Sequence, residues 1–454
     1  MKYKLFLPLM AAALCGQIFI SCSKTEHVST EPIKDSTMTN LDIYFDSIAP
    51  RCMGSILITQ GDSVIYERRM GYADIETQTP ITDTTLFKIG SITKSFTALL
   101  TLKTVEAGKL SLDDKLSKFF PNVNIPNADS ITIFHLLHHR SGIQDYVNDT
   151  EGAIFEYVYQ PQTKEQMLER FSHLKTNFEP NAAFRYCNTG YVLLAYILEQ
   201  VNDKSYAELV KEQIAEPLGL THTYSLSDSI STKSYRYDEN WQVAPLCHPS
   251  VCYGTGDIVS NAKELSKYAY ALGTGFFGKE ILAQMTHFID GYGMGLFSME
   301  MFGIPSEDGK LHFYHGGQIE EYYSCMKYDD GQVTIALFNG LGINHSSLQW
   351  YINSIQNGDK VYIPSLHFMT LDSLQINEYV GEYICDSDTL SMTNNGKYLI
   401  TESLGAPWPI KFEASTKDFF RSLEFDIDLT YNATRDSIQF RMGGDNMVFV
   451  KKKQ

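Results

Sequence analysis

A mixed α/β domain with an inserted all-α lobe, followed by a small all-β domain, is the architecture this sequence predicts, and three observations predict it. An alternating hairpin pattern opens the folded part at 53–70, helical patterns dominate from about 91 to about 286, and strand patterns return between 292 and 340. The first hairpin must therefore join strands far along the chain, with the helical block between them and helices flanking an antiparallel sheet. Beyond residue 370 the pattern changes to short strand-like runs separated by turn residues, which suits a separate antiparallel barrel or sandwich.

Ahead of the hairpin, MKYKLFLPLMAAALCGQIFISCSK opens with Lys2 and Lys4, followed by an apolar stretch from Leu5 to Ile20, then Ser21 and Cys22. Pro8 and Gly16 interrupt that stretch and it is short for a membrane span, so residues 1–21 read as a secretory signal. Ile20-Ser21-Cys22 resembles the lipobox of bacterial lipoproteins, in which the signal is cut before the cysteine and the cysteine carries the lipid. An exported lipoprotein of the bacterial cell envelope, attached to a membrane through lipid on Cys22, is therefore expected; a plain secreted protein cleaved nearby is the alternative. Residues 22–40 are polar and aperiodic and read as a tether.

The net charge is −17, and about −19 once Lys2 and Lys4 leave with the signal, so nucleic acid is not an expected partner. Six cysteines follow Cys22, namely Cys52, Cys187, Cys247, Cys252, Cys325 and Cys385. An exported chain permits disulfides, and Cys247 and Cys252 are close enough in sequence to pair, but nothing compels it.

In order along the chain, MGSILITQGDSVIYERRM places two alternating runs around Gly61-Asp62, a hairpin turn signal. A helix runs from Ser91 to about Ala107, with Leu99, Leu100, Leu102 and Val105 on its apolar side. ITIFHLLHH, KEQMLERFSHL, TGYVLLAYILEQV, YAELVKEQIAEPLG and AKELSKYAYAL continue the helical block. YGMGLFSME, KLHFYHGG, YYSCMKYDD and QVTIALFNG read as strands, LQWYINSIQ as a helix, and 359–369 as a connector. The main domain then spans 41–358, and 370–454 form the second domain through YVGEYI, YLITES, PIKFE, EFDIDLTY, SIQFRM and MVFVKKK.

Three short motifs carry the chemistry. S-x-x-K on a helix puts hydroxyl and amine one turn apart on one face, where the amine can take the hydroxyl proton. The pattern starts at Ser21, Ser91, Ser172, Ser260 and Ser324, so spacing alone does not choose among them. Tyr186-Cys187-Asn188 precedes an apolar helix, but Y-x-N also begins at Tyr146 and Tyr351. His315-Gly316-Gly317 is the only H-x-G, it lies in a strand pattern, and no K-T-G or K-S-G is present.

In their order and context these motifs resemble the serine β-lactamase and penicillin-binding protein superfamily, specifically its class C β-lactamase-like branch of esterases, D-aminopeptidases and D-Ala-D-Ala carboxypeptidases. FKIGSITKSFTALL, ITIFHLLHHRSGI, AEPLGLTHT, GTGDIVSNAKEL and YGMGLF support the resemblance, which covers about residues 40–356. It implies a β-lactamase/transpeptidase-like fold and identifies Ser91 as the nucleophile of a covalent acyl-enzyme. At a helix start the partial positive charge favours a developing alkoxide, and a desolvated Lys94 could act as base near neutral pH. Tyr186 is a second candidate base and proton relay, and the residues do not choose between the two. By resemblance Asn188 orients Lys94 and the substrate, and backbone N–H groups of Ser91 and of Gln318, next to Gly317, form the oxyanion hole.

The chain departs from class C β-lactamases, which carry Lys where His315 stands and usually Ser where Cys187 stands. His315 is more like the esterase and peptidase members, and a free imidazole titrating near about 6.5 would be partly charged at neutral pH. The expected substrate is an ester, amide or D-amino-acid peptide, cell-wall fragments included, with a slow-turnover penicillin-binding or sensing lipoprotein as the alternative. No cofactor or metal is expected: His135, His138 and His139 have ligand spacing on one helix but match the family's structural stretch, and Cys247, His248 and Cys252 lack a fourth ligand.

Overall fold

The computed structural model describes residues 37–149, 156–225, 230, 232–302, 310–359, 366–406, 409–442 and 445–452. The expected signal at 1–21, Cys22 and most of the tether lie outside the described residues. Two compact units are present: Met53–Gly340, and Leu341–Gln454 grouped with the described residues up to Cys52. Contacts therefore divide the chain near residue 340, ahead of the expected connector. The helices Thr37–Ile48 and His345–Gln356 both fall in the second unit, where Tyr44 stacks on Tyr351 at 4.8 Å.

The first unit is built on one sheet. Strands β1 (Cys52–Gln60) and β2 (Ser63–Met70) form the expected hairpin around Gly61, and β3 (His312–Ile319), β4 (Tyr322–Asp329) and β5 (Gln332–Leu341) return late in the chain. Their order across the sheet is β2-β1-β5-β4-β3, so the first hairpin joins the last strand and leaves β3 at the far side. A further hairpin, Tyr235–Asp238 with Asn240–Val243, adds to β5 through a parallel pairing of Tyr235 with Gly340. The sheet is therefore mixed. YGMGLFSME is not a strand: it holds only isolated bridges at Tyr292 and Phe297. Its glycines turn it tightly, since Gly295 sits at φ +77° and a Cβ on Gly293 would lie 2.1 Å from the Met285 carbonyl.

The helix Thr93–Glu106 runs through the core, and its buried face is not confined to leucines. Thr97, Thr101 and Thr104 are buried too, and this is tolerable because their hydroxyls are satisfied within the fold. Thr101 and Thr104 donate to the carbonyls one turn back at 2.7 and 2.8 Å, and Thr97 donates to the Gly254 carbonyl at 2.6 Å. Phe96 stacks on Tyr268 at 3.8 Å from the other side. These contacts fix the helix, and with it the turn that carries Ser91.

The second unit contains a closed eight-stranded antiparallel barrel from Gly381–Cys385 to Asp445–Lys451, closed by the pairs Tyr383↔Lys451 and Ile384↔Val450. Two of its strands, Asp388–Asn394 and Phe419–Ser422, are absent from the sequence-based set. The wholly buried Arg421 accounts for the second: its Nε lies 2.7 Å from Asp428 Oδ1, and Arg441 pairs with the other oxygen of Asp428. Arg421 lies on the face opposite the core residues Phe420, Leu429 and Phe440, so this four-residue strand is buried on both faces and lacks the simple alternation that marks a half-buried strand.

Candidate active site

Gly90–Ile92 forms one 3₁₀ turn that passes directly into the helix Thr93–Glu106, and Ser91 sits in it almost buried. Gly90 is at φ +51°, and a Cβ there would lie 2.8 Å from the backbone nitrogen of Gln318. Only glycine lets this turn come so close to β3. Gly317 serves the same approach, because a Cβ on it would lie 2.1 Å from the Ile89 carbonyl. Ser324 Oγ donates to that carbonyl at 2.7 Å, tying β4 to the nucleophile turn.

Lys94 follows one turn later and is fully buried. Its Nζ donates to Ser91 Oγ at 3.0 Å and to the Thr255 carbonyl at 2.9 Å. Burial pulls its pKa down to about 7, against the nearby Asp145 carboxyl, which holds it up. Asp145 is buried as well, and its carboxyl accepts from the backbone N–H groups of Val147 at 2.8 Å, Asn148 at 2.9 Å and Asn188, the first residue of the helix Asn188–Asn202. Burial still outweighs these donors and raises the Asp145 pKa.

Tyr186 places its ring 4.9 Å from Lys94 Nζ. Burial drives its phenol well above its ordinary value, with the Ser91 hydroxyl acting the other way. The ring packs at 4.2 Å on His139, whose Nδ1 accepts the Cys187 N–H at 3.0 Å, so His139 holds the Tyr186-Cys187 backbone in place. Asn188 makes no hydrogen bond to Lys94. Its Oδ1 instead accepts from the Thr255 hydroxyl at 3.0 Å, so it reaches the lysine through the residue whose carbonyl Lys94 touches. Asp257 pins that loop by accepting the Gly254 N–H at 2.7 Å.

His315 is fully buried on β3, with Nδ1 2.6 Å from the Gly316 carbonyl and Nε2 3.3 Å from the Tyr292 hydroxyl. Burial and the Lys94 charge push its pKa down to about 3, so the expected partial charge at neutral pH is overturned. The imidazole is neutral throughout the physiological range.

A pocket opens at Ser91, lined among others by Tyr146, Tyr157, Tyr186, Asn188, Gln318 and Glu320. The structure thus brings Ser91, Lys94, Tyr186, Asn188, Gly317 and Gln318 together, with His315 behind them. The other described S-x-x-K copies are arranged differently: Ser324, which bonds the Ile89 carbonyl, and Lys327 sit three apart on a strand and so point to opposite faces, Ser172 ends the helix Lys164–Ser172 with its Oγ donating to the Glu169 carbonyl, and Ser260 bonds Thr223 at 2.8 Å. Sequence reasoning gave no catalytic-site role to Thr255, Asp145, His139 or Glu320, and weighed His139 only for metal-ligand spacing with His135 and His138. Three of the four lie within or just beside segments that carried the resemblance, and no catalytic motif marks any of them.

His135 caps its own short helix, accepting the Thr132 N–H at 3.2 Å, and His138 Nδ1 lies 3.3 Å from the Tyr292 carbonyl. Among the described residues no group of three or more His, Cys, Asp or Glu is placed to hold a metal ion, and the six described cysteines are free thiols.

A family model described as Beta-lactamase matches residues 45–353. Penicillin-binding protein 4* of Bacillus subtilis is 24% identical over 455 residues, covering 91% of this chain and 98% of the relative. The octameric penicillin-binding protein homologue from Pyrococcus abyssi is similar in structure, with a TM-score of 0.61 and 25% identity over 90% of this chain and 99% of that one. D-amino acid amidase from Ochrobactrum anthropi SV3, solved with L-phenylalanine, gives 0.59 and 25% identity over 70% of this chain and 97% of its own.

Proposed function

This chain belongs to the beta-lactamase family and is a serine hydrolase of that superfamily, and from that premise we propose that Ser91 is its nucleophile, acting on esters, amides or D-amino-acid peptides. One observation carries the proposal: Lys94, whose Nζ lies within hydrogen-bond reach of Ser91 Oγ, is wholly buried and pulled down to about 7, where a neutral amine can accept the hydroxyl proton. Attack by Ser91 on the carbonyl forms the acyl-enzyme and develops an oxyanion, which the backbone N–H groups of Ser91 and Gln318 would hold. Tyr186, beside both Ser91 and Lys94, would pass the proton to the leaving group, and the reverse path would activate water for deacylation. The substrate preference leans toward esters and amides rather than β-lactams: no Lys or Arg lines the pocket among its described residues, and His315 supplies no charge to hold a carboxylate.

The test is to treat the protein with a fluorophosphonate and map the adduct by mass spectrometry. Labelling at Ser91 that is lost in Ser91→Ala is expected, together with multiple turnovers of an activated ester. Labelling elsewhere defeats the assignment, and one burst without turnover favours the slow penicillin-binding reading.

Export and lipidation form a second, separate proposal. The apolar run from Leu5 to Ile20 followed by Ser21-Cys22 supports a lipid-anchored protein of the cell envelope, attached through Cys22. Cys22→Ala should shift the protein from the membrane to the soluble fraction, and unchanged fractionation would reject this reading.

A further inference from the structure

Glu320 is the only Asp, Glu, Lys, Arg or His among the described residues lining the pocket at Ser91. It is 9% exposed, and it forms no ion pair within 4 Å among the described residues. It stands two residues beyond Gln318, in the two-residue turn that joins β3 to β4 between the paired residues Ile319 and Tyr322. Its φ is +51°, a conformation that glycine adopts freely and a branched-out side chain does not. The fold thus accepts a strained position that delivers a carboxyl group to the wall of the acyl pocket. Beside the uncharged polar groups around Ser91, such as Asn188 and Gln318, much of the remaining wall is apolar and aromatic, with Tyr146, Val147, Tyr157, Val158, Val251 and Ile319. Aromatic faces tolerate a cation and do nothing for an anion.

We propose that Glu320 is a specificity-determining residue, which selects substrates whose pocket-bound part carries a cation, an ammonium group above all, by pairing with it beside the Ser91 acyl centre. A buried carboxylate left without a counter-ion is unfavourable, and a substrate ammonium supplies that counter-ion while being desolvated against the tyrosine rings. An isosteric neutral substrate leaves the charge unpaired and is rejected for that reason. The inference rests on the reading that Ser91 is acylated, and it narrows the substrate class of that same site.

The carboxyl's neighbours set its pH response. Burial raises its pKa to about 7, Glu321 adds to the rise, and the Tyr159 hydroxyl and the Lys88 ammonium oppose it. Lys88 is itself buried and donates to the Cys247 carbonyl at 2.9 Å, outside the pocket lining, while the thiols of Cys247 and Cys252 share the wall. Glu320 is therefore neutral on the acid side of about 7 and charged on the alkaline side, so preference for a cation grows as pH rises.

The experiment compares kcat/KM for matched ethyl esters on the full chain: 3-aminopropanoate against butanoate, and 6-aminohexanoate against heptanoate. The ratio of cationic to neutral substrate cancels changes in the shared chemistry. In the wild type at about pH 8 the ratio should exceed roughly tenfold for at least one pair and fall toward about pH 6. Glu320→Gln and Glu320→Gly should each lower it by roughly tenfold or more. The glycine variant relaxes the turn, so a loss of ratio there reports the missing carboxylate and not a misfolded hairpin. A wild-type ratio near one, or a ratio that both variants leave unchanged, overturns the proposal. Fluorophosphonate labelling runs alongside: absent labelling at Ser91 defeats the catalytic reading, whereas labelling with a flat ratio defeats Glu320 alone.

Discussion

Lys94 works as a base only when it is neutral, and its amine is held down to about 7 by burial. The activity on a neutral ester should therefore rise with pH through about 7 and level off above it. A kcat/KM profile from about pH 5.5 to 9 that stays flat through that region would remove the Lys94 titration from the mechanism. Lys94→Ala and Tyr186→Phe should each lower turnover by roughly two orders of magnitude, and a loss under about threefold in either would remove that group. His315 makes a prediction of opposite kind, about stability. Its folded pKa is depressed to about 3, so between the unfolded value near 6.5 and about 3 the unfolded chain binds a proton that the folded chain refuses. Its contribution is complete above about 6.5 and is lost as pH falls, by about 1.4 kcal/mol per pH unit. In His315→Gln the decline of stability from about pH 6 to 4, followed by urea unfolding, should be shallower by about that slope. At this scale Ser91, Lys94 and Tyr186 were legible because their chemistry is tied to short motifs, whereas Thr255 acts through its backbone carbonyl and Glu320 through a turn conformation, neither of which a residue type announces.

Among the elements, the turn Gly90–Ile92 leaves little room for change. Gly90→Ala puts a Cβ 2.8 Å from the Gln318 nitrogen at a φ of +51°, so either the turn or β3 must move. Misplacing an oxyanion donor is expected to lower kcat by roughly 10- to 100-fold, with about 1–2 kcal/mol of lost stability. Wild-type rates in that variant would show that the Gln318 nitrogen has no part in the reaction. Periodicity read the helices and the three late strands well, because each carries a long apolar pattern of one period. It failed on YGMGLFSME, where apolar residues alternate with glycines that turn instead of extending. It also missed the hairpin at Tyr235–Val243: Tyr235, Tyr237, Trp241 and Val243 do alternate with polar residues, but each run is only four residues long and its pairing with Gly340 is set by the sheet.

Among the described residues one large core is filled around the Ser91 helix and another inside the barrel. In the barrel the Arg421–Asp428–Arg441 cluster is sensitive to change, because removing its carboxylate takes from a wholly buried guanidinium the oxygen 2.7 Å from its Nε. Asp428→Ala should destabilise the second unit by about 3–5 kcal/mol. Calorimetry should show the loss, while Ser91 labelling at temperatures well below the new transition stays as in the wild type; an unshifted melt would mean the cluster contributes nothing. The two-part organisation was visible in the change of pattern near 370, but the boundary was not: the helix His345–Gln356 has the apolar face of any packed helix, and its sequence does not say which core it serves. Closure of the barrel by Asp445–Lys451 against Gly381–Cys385 also has a temporal meaning. The strand that completes it is the last of the eight to leave the ribosome, so closure waits until the other seven have been made. A premature stop or a protease nick ahead of residue 445 would leave two raw strand edges, ready to recruit a neighbouring chain into aggregates.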